Sequence, residues 1–369
     1  MIIEQIYTKC LAQGAYYIES DGEAAVIDPL REPTPYIERA KKNKAKIKYI
    51  FETHIHADFV SGHLDLAKKT AATIVFGPDA NTHYDCYNAV DGETFKIGSL
   101  TLKVMHTPGH TLESVSYLLI DAAGKNHALF SGDTLFLGDV GIPDVAQQYK
   151  NLSKEKLAEL LFESLRSKIM PLEDNIILYP AHGAGSACGK NMSKETIGTL
   201  GDQKSSNYAL RSDMTKEEFV SEVLKGIGSP PPYFIENILL NKTGYKDLDV
   251  ILSKSNTPLS VQLFEELAQK KETLVLDVRT QQEFIKGHIP GAIFIGLNGS
   301  FAPWVGALIT DIKQPIILVT EEGRSKEAVT RLARVGYENS LGYLEGGMTS
   351  WIKAGKTTSQ IKSILAKEF

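Results

Sequence analysis

Thr53-His54-Ile55-His56-Ala57-Asp58-Phe59 is the stretch on which the fold of the first half of this chain turns. It places two imidazoles and a carboxylate on alternate residues, a pattern suited to holding a metal. The run ends in Phe59, whose phenyl ring has no lone pair to donate. Further donors follow in order: His110 in Thr107-Pro108-Gly109-His110-Thr111, Asp133 in Ser131-Gly132-Asp133-Thr134, and His182 in Tyr179-Pro180-Ala181-His182-Gly183. Each comes just after an apolar run that reads as a strand, at Ile47 to Thr53, Leu100 to Met105, Leu129-Phe130 and Asn175 to Tyr179. Rigid strands hold the loops at their ends in place, which is where α/β sites collect. A lone His-x-His is as readily an ordinary histidine pair. The repeated strand-end placement points to a site.

The rest of the chain frames that site. With 369 residues, two domains are the natural expectation. The composition, 43% apolar and 23% charged, is that of a soluble globular protein. A formal charge of −5 gives no reason to expect nucleic acid or an anionic membrane as partner. No apolar run reaches the roughly 18–20 residues of a membrane span. The N-terminal Met1 to Tyr7 has no basic region before an apolar one, so it reads as a strand rather than a signal peptide. The three cysteines, Cys10, Cys86 and Cys188, give no disulfide framework, and a cytoplasmic location is expected.

Strand-like and helical runs alternate over the first ~200 residues. Ala24 to Asp28 and Val115 to Ile120 read as further strands, and Pro35 to Lys46 as a basic surface helix. Residues ~190–250 read as mostly helical. Thr215-Lys216-Glu217-Glu218 is a capping box that opens a helix, Ser229-Pro230-Pro231-Pro232 breaks it, and Tyr233 to Leu240 is a short helix. The domain boundaries expected are 1–240, a linker over 241–257, and a second α/β unit over 258–369 with a parallel sheet.

His54, His110 and Asp133 offer two imidazoles and one carboxylate, the set that leaves open positions for substrate and O2 in non-haem Fe(II) oxygenases. His56, Asp58 and His182 lie nearby as groups that orient the ligands. Residues 1–240 resemble the persulfide dioxygenase (ethylmalonic encephalopathy protein) branch of the metallo-β-lactamase superfamily, whose cousin branch is glyoxalase II. Thr53 to Gly62, Pro108 to Thr111, Ser131 to Phe136, Tyr179 to Gly183, Gln203 to Asn207 and the tail with Pro230-Pro231-Pro232-Tyr233-Phe234 carry the resemblance. It implies an αββα sandwich and one Fe(II) per chain on His54, His110 and Asp133. The implied activity is oxidation of the terminal sulfur of a glutathione or coenzyme A type persulfide by O2, giving sulfite and free thiol. It also suggests a homodimer or homotetramer. In a dinuclear relative, His56 would share the first metal, and Asp58, the position of Phe59 and His182 would hold the second. Phe59 therefore argues against the rival reading, a two-metal glyoxalase II-type thioester hydrolase. A non-catalytic persulfide carrier or sensor is the other rival.

Glycines at 183, 185 and 189 surround Cys188 and suggest a backbone that turns sharply or approaches a ligand closely. Cys188 is a candidate contact for a substrate thiol or a small buried thiol. Lys190 is a candidate for meeting a substrate anion or a solvated lysine. Phe59 is a third candidate for lining the substrate site. Asp28 is expected to hold the ligand loops, with His63 and His83 outside the site.

Residues ~258–357 resemble a rhodanese domain, through Asp277-Val278-Arg279, Gly287 to Ala292, Gly323-Arg324-Ser325, and Glu345-Gly346-Gly347 with Trp351. An active rhodanese needs a cysteine before its Gly-x-Arg-Ser-like loop. Here the stretch reads Thr320-Glu321-Glu322-Gly323-Arg324-Ser325, and no cysteine follows Cys188. A unit without sulfurtransferase activity of its own is expected, one that docks a sulfur-transfer partner, shapes the site mouth or is a structural appendage.

Overall fold

The computed structural model describes residues 1–143, 152–362 and 364. The chain divides into two compact units, Met1–Tyr245 and Lys246–Phe369.

Two six-stranded sheets form the first unit. One runs β1 (Ile2–Thr8), β2 (Gln13–Ser20), β3 (Glu23–Ile27), β4 (Lys46–Phe51), β5 (Thr73–Phe76) and β6 (Tyr87–Asn88) in spatial as well as chain order. The other consists of β7 (Thr94–Ile97), β8 (Leu100–His106), β9 (Val115–Ile120), β10 (Asn126–Gly132), β11 (Ile177–Pro180) and β12 (Gly198–Thr199), again in sequential order. Pairs from β3 to β6 and the pair β10–β11 are parallel, so helical crossovers must join β3 to β4, β4 to β5 and β10 to β11. The other pairs are antiparallel.

Side-chain alternation builds the layers. Tyr16, Ile18, Ala25, Ile27 and Phe51 from the first sheet meet Leu102, Val104, Tyr117, Leu119 and Phe130 from the second. Leu118 and Leu129, one residue out of phase, point the other way and join Ala158, Leu161, Leu165 and Phe219 from the helices on that side. The helices Thr34–Asn43 and His63–Thr70 pack on the first sheet. The result is the αββα sandwich expected from the sequence. The capping box at Thr215 is present, with both reciprocal hydrogen bonds made.

In the second unit, β13 (Pro258–Leu259), β14 (Leu274–Asp277), β15 (Ile293–Phe294), β16 (Ile316–Val319) and β17 (Ser340–Leu344) form one sheet in the order β13-β17-β16-β14-β15. Every pair is parallel, as expected for this half. The stretch expected to be a linker is not one. A helix, Leu248–Ser255, occupies it, capped by the Asp247 side chain and burying Leu248 and Ile251. This helix packs on the helix Ser325–Arg334 and on β17. The preceding helix also runs past the expected end, over Tyr233–Thr243. Among the described residues no helix is long and apolar enough to cross a membrane.

Candidate metal centre

Every sequence-predicted donor loop of the first unit follows a strand. Asp28 follows β3, His54 follows β4, His110 follows β8, Asp133 follows β10 and His182 follows β11. Asp28 adopts a left-handed φ of 49°, a conformation its short polar side chain tolerates. Its carboxylate thereby accepts from the Thr53 backbone N–H at 2.7 Å and from the Thr53 hydroxyl at 2.8 Å. Asp28 thus holds the start of the His54 loop. Gly132 sits at φ 56° beside Thr53, and a Cβ there would come within 2.7 Å of the Thr53 side chain. Glycine lets the Asp133 loop close on the His54 loop.

His54, His110 and Asp133 converge, with one ligand atom from each within 4.8 Å of the others, and all three are buried. Asp133 Oδ2 lies 3.5 Å from His110 Nε2 and 3.9 Å from His54 Nε2. Backbone and side-chain partners fix the ring tautomers. The Thr53 hydroxyl gives its only proton to Asp28, so at its 3.0 Å contact with His54 Nδ1 it accepts. His110 Nδ1 lies 2.8 Å from the Ile142 carbonyl, to which it can only donate. The Nε2 atoms of both rings then face Asp133. Such outer partners give a metal-ligating imidazole its orientation and basicity. The donor set therefore fits a divalent metal.

The electrostatics agree. Burial pushes the Asp133 carboxyl up, but His182, His54 and His110 outweigh burial and hold it well below the carboxylate range. Burial, followed by the neighbouring His56, keeps His54 well below the ordinary imidazole value, so it is neutral and able to ligate.

His56 turns elsewhere. Its Nε2 lies 3.2 Å from Asp28 and 3.3 Å from Glu52. Burial opposes its charge, but the Asp28 and Glu52 carboxylates push its pKa up to about 10. The contact is one of charge, since neither ring nitrogen makes an aligned hydrogen bond. Glu52 also takes His63 Nδ1 at 3.0 Å, and His63 Nε2 meets the Tyr84 hydroxyl at 2.7 Å. His63 is outside the donor set. His83 is tied through its backbone N–H to the Lys242 carbonyl.

His182 lies between two carboxylates, with Nδ1 2.8 Å from Asp133 and Nε2 3.0 Å from Asp58. Burial lowers its pKa, but Asp133 and Asp58 raise it well above the ordinary value. Cys188, 3% exposed, completes a second buried group with Asp58 and His182, whose ligand atoms also lie within 4.8 Å of one another.

Two candidate substrate residues have packing or capping partners of their own. Phe59 is fully buried, and its ring packs on His56 at a centroid separation of 4.3 Å. The Lys190 ammonium caps the helix Lys216–Leu224, donating to the carbonyls of Glu222, Val223 and Lys225 at 2.7, 2.9 and 3.1 Å. A side chain committed to three carbonyls has no donor to spare for a substrate anion. Sequence reasoning missed Glu52, Ile142 and Asn241. Glu52 stood directly before the donor run and was the one with a readable signal. Ile142 acts through its backbone and Asn241 through a contact across the fold, which no local pattern announces.

The metallo-beta-lactamase superfamily profile matches residues 9–84, and the rhodanese-like domain profile matches residues 260–354. A crystal structure of a metallo-beta-lactamase from Staphylococcus aureus subsp. aureus COL is 32% identical, covering 93% of this chain and 98% of its own, with a TM-score of 0.80. This chain belongs to the metallo-beta-lactamase superfamily. A hydroxyacylglutathione hydrolase of Rhodopseudomonas palustris (strain BisB5) is 30% identical over 60% of this chain and 89% of its own. The same enzyme name recurs among other matched relatives. The crystal structure of ETHE1 from Myxococcus xanthus is 25% identical, with a TM-score of 0.55, covering 66% of this chain and 98% of its own.

These comparisons correct the expected activity. Several curated relatives carry the name hydroxyacylglutathione hydrolase, which fits the hydrolase reading that the sequence placed second better than a persulfide dioxygenase. The expectation of an Fe(II) dioxygenase using O2 and a thiol persulfide is therefore withdrawn.

Proposed function

We propose that the first unit is a metal-dependent hydrolase of glutathione thioesters. The observation that carries the reading is the convergence of His54 Nε2, His110 Nε2 and the Asp133 carboxylate, with both Nδ1 atoms engaged by other partners. The names of the curated relatives support the substrate class. His54, His110 and Asp133 would hold the metal. When bound, it supplies Lewis acidity for a carbonyl and makes water a better nucleophile at neutral pH. The protein's own part is orientation. Thr53 and Ile142 engage the Nδ1 atoms and turn both Nε2 atoms inward, and Asp28 and Glu113 fix the His54 loop, Glu113 by accepting from the Ile55 N–H at 3.2 Å.

The second unit, having no cysteine, has no sulfurtransferase activity of its own in this reading. The test is release of free thiol from a 2-hydroxyacyl-glutathione thioester by zinc-loaded protein, compared with Asp133→Ala. Thiol release under argon that the variant loses is expected. Equal release by both proteins, or none by either, would sink the proposal.

A further inference from the structure

Where a rhodanese would hold its nucleophile, the second unit has a hollow of about 690 Å³. One side of it is the loop from Thr320 to Ser325, which joins β16 to the helix Ser325–Arg334. The other is the stretch from Glu345, just after β17, into the helix Gly347–Lys353. Two hydroxyls mark it as more than a crease between loops. Thr320 is 5% exposed and Ser325 9% exposed, both line the hollow, and neither hydroxyl has a hydrogen-bond partner among the described residues. Burying a hydroxyl without a partner is costly, so such a group in a folded protein calls for something to bond to it.

Charge decides what that is. Most of the ionic groups around the hollow are already matched. Arg279 pairs with Asp277 at 2.7 Å, Glu283 with Lys286 at 2.8 Å, and Glu321 with Arg324 at 3.2 Å. The positive end of the helix Ser325–Arg334 is met by Glu327 in its first turn. Glu322, Glu345 and Lys353 also line the hollow, and none of them forms an ion pair among the described residues. Two carboxylates against one ammonium leave the hollow short of one positive charge. We propose that it binds a primary ammonium group, carried by a free alkylamine or by a lysine side chain of a partner.

The donor and acceptor count fits that group. An alkylammonium has three N–H donors and no acceptor, and it needs acceptors only. The Thr320 and Ser325 hydroxyls offer lone pairs, and Glu322 and Glu345 offer carboxylate oxygens, whose bonds to a charged donor are the stronger kind. An anion of the kind a sulfurtransferase handles would instead face those two carboxylates across a confined space. Leu344 and Met348 also line the hollow, both largely buried. They supply apolar surface for the methylene chain of an alkylamine or a lysine, in a hollow larger than a bare ammonium ion fills. The loop that would hold a thiolate in a sulfurtransferase thus carries the opposite charge preference here.

The test is calorimetric titration of the full chain with n-butylammonium chloride at constant ionic strength, with n-butanol as the uncharged counterpart. One saturable site per chain is expected for the ammonium and none for the alcohol. Glu322→Gln and Glu345→Gln remove charge from exposed side chains, and each should weaken binding by about tenfold or more. Thr320→Val keeps the shape, deletes a hydroxyl and should also weaken it. Should Thr320→Val fail to fold, the two glutamine variants decide. A second titration uses a short capped peptide with one central lysine, and the same peptide acetylated at the lysine Nζ. Tighter binding of the lysine peptide than of n-butylammonium assigns the ammonium to a partner protein, and weaker binding assigns it to a free amine. Absence of saturable binding by both n-butylammonium and the lysine peptide would overturn the proposal. So would equal binding of the alcohol or of the acetylated peptide, or an affinity that the glutamine variants leave unchanged.

Discussion

Asn241 holds the loop of candidate metal donors through Phe59. Its Nδ2 donates to the Phe59 carbonyl at 2.9 Å and to the His56 carbonyl at 2.8 Å, while its Oδ1 accepts from the Ser61 N–H at 3.0 Å. A residue from the last helix of the first unit thus satisfies three backbone groups of the loop that carries His54, His56 and Asp58. Phe59 keeps its place in that loop as a packing residue, its ring tilted by 33° against His56 and its backbone anchored by Asn241.

Asn241→Ala would leave those groups buried without partners. Each such group costs about 1–3 kcal/mol, and relaxation of the loop will recover part of the sum. A loss of about 2–4 kcal/mol in the stability of the first unit is expected, together with a fall of about 10–100-fold in zinc affinity from the disturbed ligand loop. Urea denaturation and a competitive zinc titration measure the two. Unchanged values in both would show that the loop does not depend on this clamp.

Thr53 fixes the His54 tautomer by accepting at His54 Nδ1 while donating to Asp28. Thr53→Val keeps the shape and deletes the hydroxyl, so metal affinity should fall by about 10–100-fold. Thr53→Ser, which retains the oxygen, should stay near wild type. Equal affinities in the valine and serine variants would show that the hydroxyl does not set the ligand.

These two residues mark where the sequence was legible. The donor types and their strand-end positions were readable because a metal needs particular side chains and a sheet places them at the ends of apolar runs. Where His56 turns was not readable, since it depends on Glu52 and Asp28 meeting the same ring from two different strand ends. Asn241 could not be read, because its partners lie about 180 residues away in the chain. The helix Leu248–Ser255 had a signal in the Asp247 cap and the spacing of Leu248 and Ile251, but the polar residues that follow masked it.

In the second unit, Arg279 meets the buried Asp277 at 2.9 Å through Nε and 2.7 Å through Nη2, with the two side chains 7% and 0% exposed. Removing one partner of such a pair leaves an uncompensated buried charge. Arg279→Met should therefore destabilise this unit by about 3–5 kcal/mol. The double variant Asp277→Leu/Arg279→Met should recover a large part of that loss, because no charge is then left unpaired. A double variant as unstable as the single one, measured by equilibrium unfolding, would show that the pair acts through packing or through the further bond from Arg279 to the Gly287 carbonyl.

The loop where a rhodanese nucleophile would stand carries carboxylates instead. Glu321 accepts from the Thr280 N–H at 3.3 Å and pairs with Arg324 at 3.2 Å, while Arg324 also pairs with Glu327 at 2.9 Å. The guanidinium is thus matched by local carboxylates, and the chain has no cysteine beyond Cys188. The full chain supplied with thiosulfate and cyanide should form thiocyanate no faster than the buffer does. Turnover above that rate would point to Cys188 or another thiol acting as sulfur acceptor.

Metal binding to the folded first unit should appear as stability, because the unfolded chain scatters the ligand loops. A site filled by zinc at a free concentration a hundredfold above its dissociation constant adds about 2.7 kcal/mol. Calorimetry with and without chelator should show that the transition which responds is lowered by metal removal, while His110→Ala loses the response of the first site. His110 is placed to ligate through Nε2, which faces Asp133, because its Nδ1 is committed to the Ile142 carbonyl. A zinc-dependent rise of the same size in His110→Ala would mean that the stabilising ion binds elsewhere, and the assignment of the first site would have to be redrawn around the remaining donors.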